Sequence, residues 1–239
     1  MKKLTIASNC YNEISQCAGW YDNMIQIADG GILIVDTGSD DGTKEFFEKK
    51  IEEGAPVVFI TDDIILREGY GPARNHLREM TRIHYPDSHW VCYLDFDERI
   101  MQEDFHKLRF LKDYLIPEYD VIALPRLNRL DKETMATKND YMIAPDYQAR
   151  MTRLGSPLQY IRKLHENIVD YNKMYAQLNN PKIHHFHRST DQKKRDYIGR
   201  LCSKLHAEDL EYGGTYGTHH KEEFYYKQYQ EIGLHGEKA

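Results

Sequence analysis

Cysteine is scarce in this chain, and what there is does not pair. Cys10, Cys17, Cys92 and Cys202 are the only four in 239 residues, no two form a CxxC, and none closely neighbours another. That excludes a disulfide framework and gives zinc no companion thiols, so reduced thiols in a cytoplasmic protein are expected. Basic excess is missing too. With 32 basic against 38 acidic residues the formal charge is -6, which leaves no electrostatic footprint for nucleic acid. No window approaches the roughly 20 apolar residues of a membrane-spanning helix. At the N-terminus, Met1-Lys2-Lys3-Leu4 reaches Asn9, Asn12 and Glu13 before the apolar region of a signal peptide can form. There is no internal repeat and no low-complexity tract. What remains is a globular composition, 41% apolar and 29% charged, long enough for one full-sized domain. The 18 tyrosines, concentrated toward the C-terminal half, suit a glycan or an interface as well as a core.

The first hundred residues alternate strand and helix. Strands are predicted at Leu4–Ser8, Gly31–Val35 ending at Asp36, Pro56–Ile60 and Trp90–Leu94. Helices are predicted at Ile14–Ala28, Asp41–Glu53 and Gly71–Ile83, the last with Pro72 in its first turn. Repeated βα units imply a mostly parallel sheet with helices on both faces, and such sheets bind ligands beyond the carboxyl ends of their strands. Asn9–Glu13, Asp36–Thr43 and Asp95–Glu98 all fall on that edge. Further on, strands are expected at Asp120–Pro125, Tyr147–Leu154, Tyr160–Val169 with a polar interruption, and Ile183–His187. Leu127–Pro145 reads as an acceptor-side loop, Asp191–Glu211 as a helix, and Glu222–Ile232 as a short terminal helix beyond a glycine-rich linker.

The densest signal is Trp90-Val91-Cys92-Tyr93-Leu94-Asp95-Phe96-Asp97-Glu98, an apolar run that ends in three carboxylates. Buried strands do not normally end in clustered negative charge. If the strand continues through Phe96, Asp95 and Asp97 share a face and can hold Mg²⁺ or Mn²⁺, the remaining coordination coming from phosphate and water. Glu98 is either a supporting residue or the start of a loop. Asp36 stands on a strand tip where a carboxylate can accept from a nucleobase N–H or a ribose hydroxyl. The turn after it, Thr37–Thr43, is a capped βα turn and no phosphate loop, since it is acidic and lacks the GxxxxGK[ST] lysine. Arg74, near a helix N-terminus, is suited to a diphosphate.

Four segments in order, Asn9-Cys10-Tyr11-Asn12-Glu13, Val35–Thr43, Gly71-Pro72-Ala73-Arg74-Asn75 and Leu94-Asp95-Phe96-Asp97-Glu98, resemble the successive signatures of family 2 glycosyltransferases. The resemblance implies the GT-A nucleotide-diphospho-sugar transferase fold, an α/β Rossmann-like sheet flanked by helices, here with a C-terminal helical extension. It implies a nucleotide-diphosphate sugar donor, Mn²⁺ or Mg²⁺ on a DxD motif, a carbohydrate or glycoconjugate acceptor, and usually inversion at the anomeric carbon. Ser8, Asn12, Glu13, Asp36, Arg74, Asp95 and Phe96 then form the expected nucleotide-sugar set, with Asp36 on the nucleoside, Asp95 on ribose or metal, and Asp97 on metal. The expected organisation is one domain over 1–211, with 1–100 as the donor half and 101–190 as the acceptor half, followed by a tail over 212–239.

Leu164-His165-Glu166-Asn167 resembles a His-Glu element found in a subset of these enzymes. An inverting transfer needs a base for the acceptor hydroxyl; Glu166 is the first candidate and Asp146 the second. Among His184, His185 and His187, alternation puts the last two on one face; His187 is the candidate to complete the metal shell. Arg188, Lys193, Lys194 and Arg195 either neutralise the diphosphate or begin a solvated helix. Two other classes stay open. A sugar nucleotidyltransferase needs a basic loop after the first strand, and Ser8–Glu13 has no basic residue. A non-catalytic binding module would tolerate loss of the base and metal ligands, of which this chain retains plausible versions.

Overall fold

A computed structural model describes residues 1–115, 117–129, 146–186 and 192–210. The N-terminal half winds as β1 (Lys3–Cys10), α1 (Ile14–Met24), β2 (Gly31–Asp36), α2 (Thr43–Glu52), β3 (Val57–Thr61), α3 (Ile64–Glu68), α4 (Tyr70–His84) and β4 (Ser88–Tyr93). There follow β5 (Glu98–Ile100), α5 (Phe105–Tyr114), β6 (Tyr119–Arg129), β7 (Asp146–Arg153), β8 (Gln159–Ile161), β9 (Asn167–Val169), β10 (Lys173–Ala176), β11 (Ile183–Phe186) and α6 (Gln192–Leu210).

The central sheet runs β3-β2-β1-β4-β7-β6-β11-β5, with β10 beside β6, while β8 and β9 form a separate hairpin. The four N-terminal strands are mutually parallel, as βα winding dictates. Beyond β4 the direction breaks: β7 lies antiparallel to both β4 and β6, and β5 antiparallel to β11.

Every residue of β2 is buried, which is why it reads as an unbroken apolar run. Alternation then divides the core between two faces. Leu4, Ile6, Ile32, Ile34, Trp90 and Cys92 pack with Trp20 of α1, Phe47 of α2 and Leu108 of α5. Ala7, Leu33, Val35, Val91 and Tyr93 pack on the other face with Ile64, Ala73 and Leu77 of α3 and α4 and with Tyr160 and Ile168 of the hairpin.

Four boundaries differ from the sequence reading, each for a local reason. The Trp90 strand ends at Tyr93, and residues 94–97 turn before β5, so Asp95 and Asp97 do not share a strand face. The Tyr160–Val169 strand is a hairpin, because Arg162 and His165 take positive φ at its turn. A short α3 precedes α4, and β6 runs on to Arg129, shortening the expected loop; residues 130–145 lie outside the described residues, as do His187, Arg188 and the 212–239 tail. All four cysteines are free thiols, and among the described residues no helix is long and apolar enough to cross a membrane.

Candidate functional site

The loops after β1 and β2 are knitted into one rim at the carboxyl edge of the sheet. Asn12 sits at φ +53, a left-handed conformation that asparagine tolerates, and its side-chain amide exchanges hydrogen bonds with Asp40 at 2.8 and 2.9 Å. Asp41 accepts from the first amide of α1, Ile14 N, at 3.0 Å and from Thr43 N at 3.0 Å, so one carboxylate serves two helix starts. Asp36 is 1% exposed. Its oxygens accept from Gly38 N at 3.1 Å, Ser39 N at 2.9 Å and the Ser39 hydroxyl, and from the Cys10 thiol at 3.2 Å. The structure thus gives this carboxylate a turn to build.

Two members of the expected nucleotide-sugar set have buried side chains. Ser8 is fully buried in β1, and its hydroxyl donates to Asn9 O at 3.2 Å. Phe96 is 2% exposed and stacks on Trp20 with ring centroids 4.4 Å apart. Its ring anchors the 94–97 turn to α1, as does the Trp20 indole, which donates to Leu94 O at 3.2 Å. Arg99 reaches back to Phe96 O at 2.8 Å and Gln16 O at 3.3 Å, tying the same turn to the same helix.

The anchored turn presents Asp95 and Asp97 to different partners. Asp95 Oδ1 accepts from Arg74 Nη2 at 3.3 Å and Oδ2 from Arg150 Nη2 at 2.9 Å. Burial opposes its charge, but the Arg150 and Arg74 guanidiniums outweigh burial and hold the carboxyl below its ordinary range. Glu98, fully buried, receives Arg150 Nη2 at 2.6 Å; burial pushes it up, Arg150 pulls against this, and Asp95 and Asp97 add to the rise. Both oxygens of Asp95 are thus engaged by arginines.

Asp97 faces His185 of β11. Asn128 Oδ1 lies 2.8 Å from His185 Nδ1 and Asp97 Oδ2 lies 3.2 Å from its Nε2, so the imidazole stands between two side-chain oxygens. A proton on Nε2 makes this contact a hydrogen bond, and a shared cation is the other way to join the two groups. Neighbouring ligands of one divalent ion with bonds near 2.1 Å stand about 3 Å apart, so the pair fits a metal as well as it fits a proton. Among the described residues no three His, Cys, Asp or Glu side chains gather into a metal cage, and the donors present match a cation that fills its shell with phosphate and water.

Arg74 is 6% exposed, lies 5.1 Å over the Tyr93 ring, and donates through Nε to Glu166 Oε1 at 3.3 Å. Its Nη1 has no partner among the described residues, nor has Arg150 Nε. The start of α4 is not open to a phosphate, however, because Tyr70 N and Gly71 N donate to Lys163 O at 2.7 Å and Arg162 O at 3.0 Å. Asp146 accepts twice from Arg126, at 2.9 and 2.7 Å, and once from Gln148 at 2.7 Å, which leaves it less room than Glu166 to take a proton. Glu13 pairs with Lys194 of α6, and Lys194 also donates to Asn12 O at 3.1 Å. Burial lifts Glu13 to about 7 against the pull of Lys194.

Arg150 was missed in the sequence, although an arginine inside an alternating strand is a signal: a buried charge needs a partner. Among the described residues His185 is the histidine beside Asp97; His187 lies outside them.

The sequence matches no family model, and no curated protein matches it. Solved structures do. TarS from S. aureus, residues 1–349 in complex with UDP, superposes with a TM-score of 0.52 over 86% of this chain at 14% identity, and this chain spans 65% of it. Mannosyl-3-phosphoglycerate synthase from Rubrobacter xylanophilus superposes with a TM-score of 0.50 over 91% of this chain and 76% of its own, also at 14% identity. A mostly parallel sheet that turns antiparallel beyond its fourth strand, flanked by helices on both faces and shared with these proteins, gives the chain the GT-A fold.

Proposed function

We propose that the protein is a glycosyltransferase that moves a sugar from a nucleotide-diphosphate sugar to an acceptor hydroxyl. The observation that carries this is the Arg74 bridge. One buried guanidinium joins Asp95, on the donor-side turn, to Glu166, on the hairpin from the other half of the chain. A carboxylate with an oxygen to spare is thereby held beside the edge where three strand-end loops meet.

In this reading the acceptor hydroxyl attacks the anomeric carbon as the bond to the diphosphate oxygen breaks, and inversion follows from that single displacement. Glu166 takes the hydroxyl proton. Arg74 and Arg150 fix Asp95 and the turn, and their positive charge lies close behind the edge where a diphosphate would sit. The rim of Asn12, Glu13 and Asp36 shapes the nucleoside end. Asp97 and His185 would hold Mn²⁺ or Mg²⁺, which offsets charge on the departing diphosphate. The nucleotide, the sugar and the acceptor are set by the loops between β6 and β11.

Calorimetry with UDP, GDP and dTDP, each with Mn²⁺ and with a chelator, tests the reading. One nucleotide is expected to bind at least about 10-fold more weakly without metal, with Asp97→Asn abolishing that difference. Equal binding with and without metal for every nucleotide, or no nucleotide bound at all, rejects it.

A further inference from the structure

We propose that Asp209, on α6, is a positioning residue for Glu166: it clamps the turn of residues 162–166 against the start of α4 and so sets where the carboxylate stands. The proposal rests on the reading of Glu166 as the base.

The turn between β8 and β9 cannot hold itself. Each strand has three residues, and a lone two-stranded hairpin is marginal in water. Arg162 and His165 sit at φ +76 and +54, and left-handed backbone in such residues costs about 1–3 kcal/mol each unless the surroundings impose it. Two elements impose it. From one side, Tyr70 N and Gly71 N, the first two amides of α4, donate to Lys163 O and Arg162 O at 2.7 and 3.0 Å. These are donors a helix cannot satisfy itself, and the next residue, Pro72, has none to satisfy. The approach is so close that a Cβ on Gly71 would lie 2.4 Å from Arg162 O, and one on Gly69 2.6 Å from Lys163 Cα. Glycine at both positions is thus required by the seat of the hairpin.

From the other side comes α6. Asp209 Oδ1 accepts from Lys163 N at 3.0 Å, and Oδ2 lies 3.5 Å from Arg162 Nε. Its neighbour Glu208 takes Lys163 Nζ at 2.7 Å, but the Glu208 side chain is 31% exposed whereas that of Asp209 is 6% exposed. The exposed pair adds little; the buried carboxylate holds the backbone. Residue 163 is therefore gripped at both ends, its carbonyl by α4 and its amide by α6. Three residues later Glu166 meets Arg74, which stands one helical turn beyond Gly71 on the same α4. The register of the turn on α4 thus fixes the Arg74–Glu166 contact, and a misplacement of about 1 Å at such a contact costs on the order of 100-fold in rate.

Arg162 and Lys163 are themselves trypsin sites, which gives a readout independent of activity. Asp209→Ala is compared with wild type and with Asp209→Asn, which keeps an acceptor for Lys163 N. Cleavage after 162 and 163 under native conditions is expected to rise about 10-fold or more in Asp209→Ala, with kcat on the best-hydrolysed nucleotide sugar falling about 10- to 100-fold. UDP affinity with Mn²⁺ is expected to stay unchanged, and Asp209→Asn to restore most of the loss. Unchanged cleavage, or raised cleavage with wild-type kcat, overturns the proposal. Should Asp209→Ala fail to fold, Asp209→Glu, which displaces the acceptor by one methylene, carries the same expectations and the same refutations. Glu166→Gln is measured alongside. A fall of about 10²–10⁴-fold upholds the base, whereas normal turnover removes it while cleavage still reports on the clamp.

Discussion

Two carboxylate clusters share the ligand edge and are held in opposite ways. In the rim between β1 and β2, Asp36, Asp40 and Asp41 are satisfied by backbone amides, hydroxyls and an asparagine, all within the two turns they shape. Around the 94–97 turn, Asp95, Glu98 and Glu166 are held by guanidiniums that arrive from α4 and β7. Neutral donors close to home build loop shape. Charged donors from distant elements assemble a site, and they leave N–H groups of Arg74 and Arg150 without a partner among the described residues. Carboxylates at a strand end therefore do not all point to chemistry; the kind of donor that holds them separates the two roles.

Arg150→Ala is the severest way to break this contrast. It takes the 2.6 Å partner from the fully buried Glu98, while the partly exposed Asp95 keeps Arg74; breaking a buried pair typically costs about 3–5 kcal/mol and about 6–20 °C in Tm. Arg150→Met combined with Glu98→Gln is expected to recover most of that in a thermal melt. A Tm within 2 °C (about 1 kcal/mol or less) of wild type for Arg150→Ala would mean that Arg150 does not hold the buried carboxylates together.

Glu13 belongs to the rim yet is held by a charged partner, and pH sharpens its place. Burial lifts its carboxyl from 4.5 to about 7 despite Lys194. Between those values the folded chain keeps a proton that the unfolded chain has released, so this group makes stability fall as pH rises through the window. Glu13→Gln is expected to flatten that slope and to raise stability at pH 8, by at most about 3 kcal/mol. Identical Tm–pH curves for the two proteins would remove Glu13 from the argument.

Asp36→Asn is the mildest test. If Asp36 builds the turn, stability falls by about 1 kcal/mol, read in urea, while UDP affinity stays within about threefold. An affinity loss of tenfold or more with unchanged stability would make Asp36 a reader of the nucleoside instead.

Much of the N-terminal half was legible because its signals are local. The apolar runs of β2 and β4 are buried on both faces, and the Asp36–Thr43 turn carries its own caps, so periodicity and capping chemistry reveal them. The other half was read less well. There α5 and β10 went unseen, as did the short α3 and β5 before residue 101, and the 160–169 segment read as one strand because nothing in its composition announces positive φ at Arg162 and His165. Phe96 lies between two carboxylates in sequence, but its ring turns the other way, into the packing of Trp20 and Phe47.

By itself the sequence determined the βα alternation, the edge on which its polar clusters gather, and the identity of the carboxylates there, since each follows from side-chain periodicity within a few residues. Only the tertiary structure decided what each carboxylate touches. Arg74 is 92 residues from Glu166, and Arg150 is 55 from Asp95. Which guanidinium meets which carboxylate, and whether a histidine rather than a second aspartate stands beside Asp97, depends on strand order and on how α4, α6 and the hairpin pack. Those are non-local contacts, and no short window of sequence contains them.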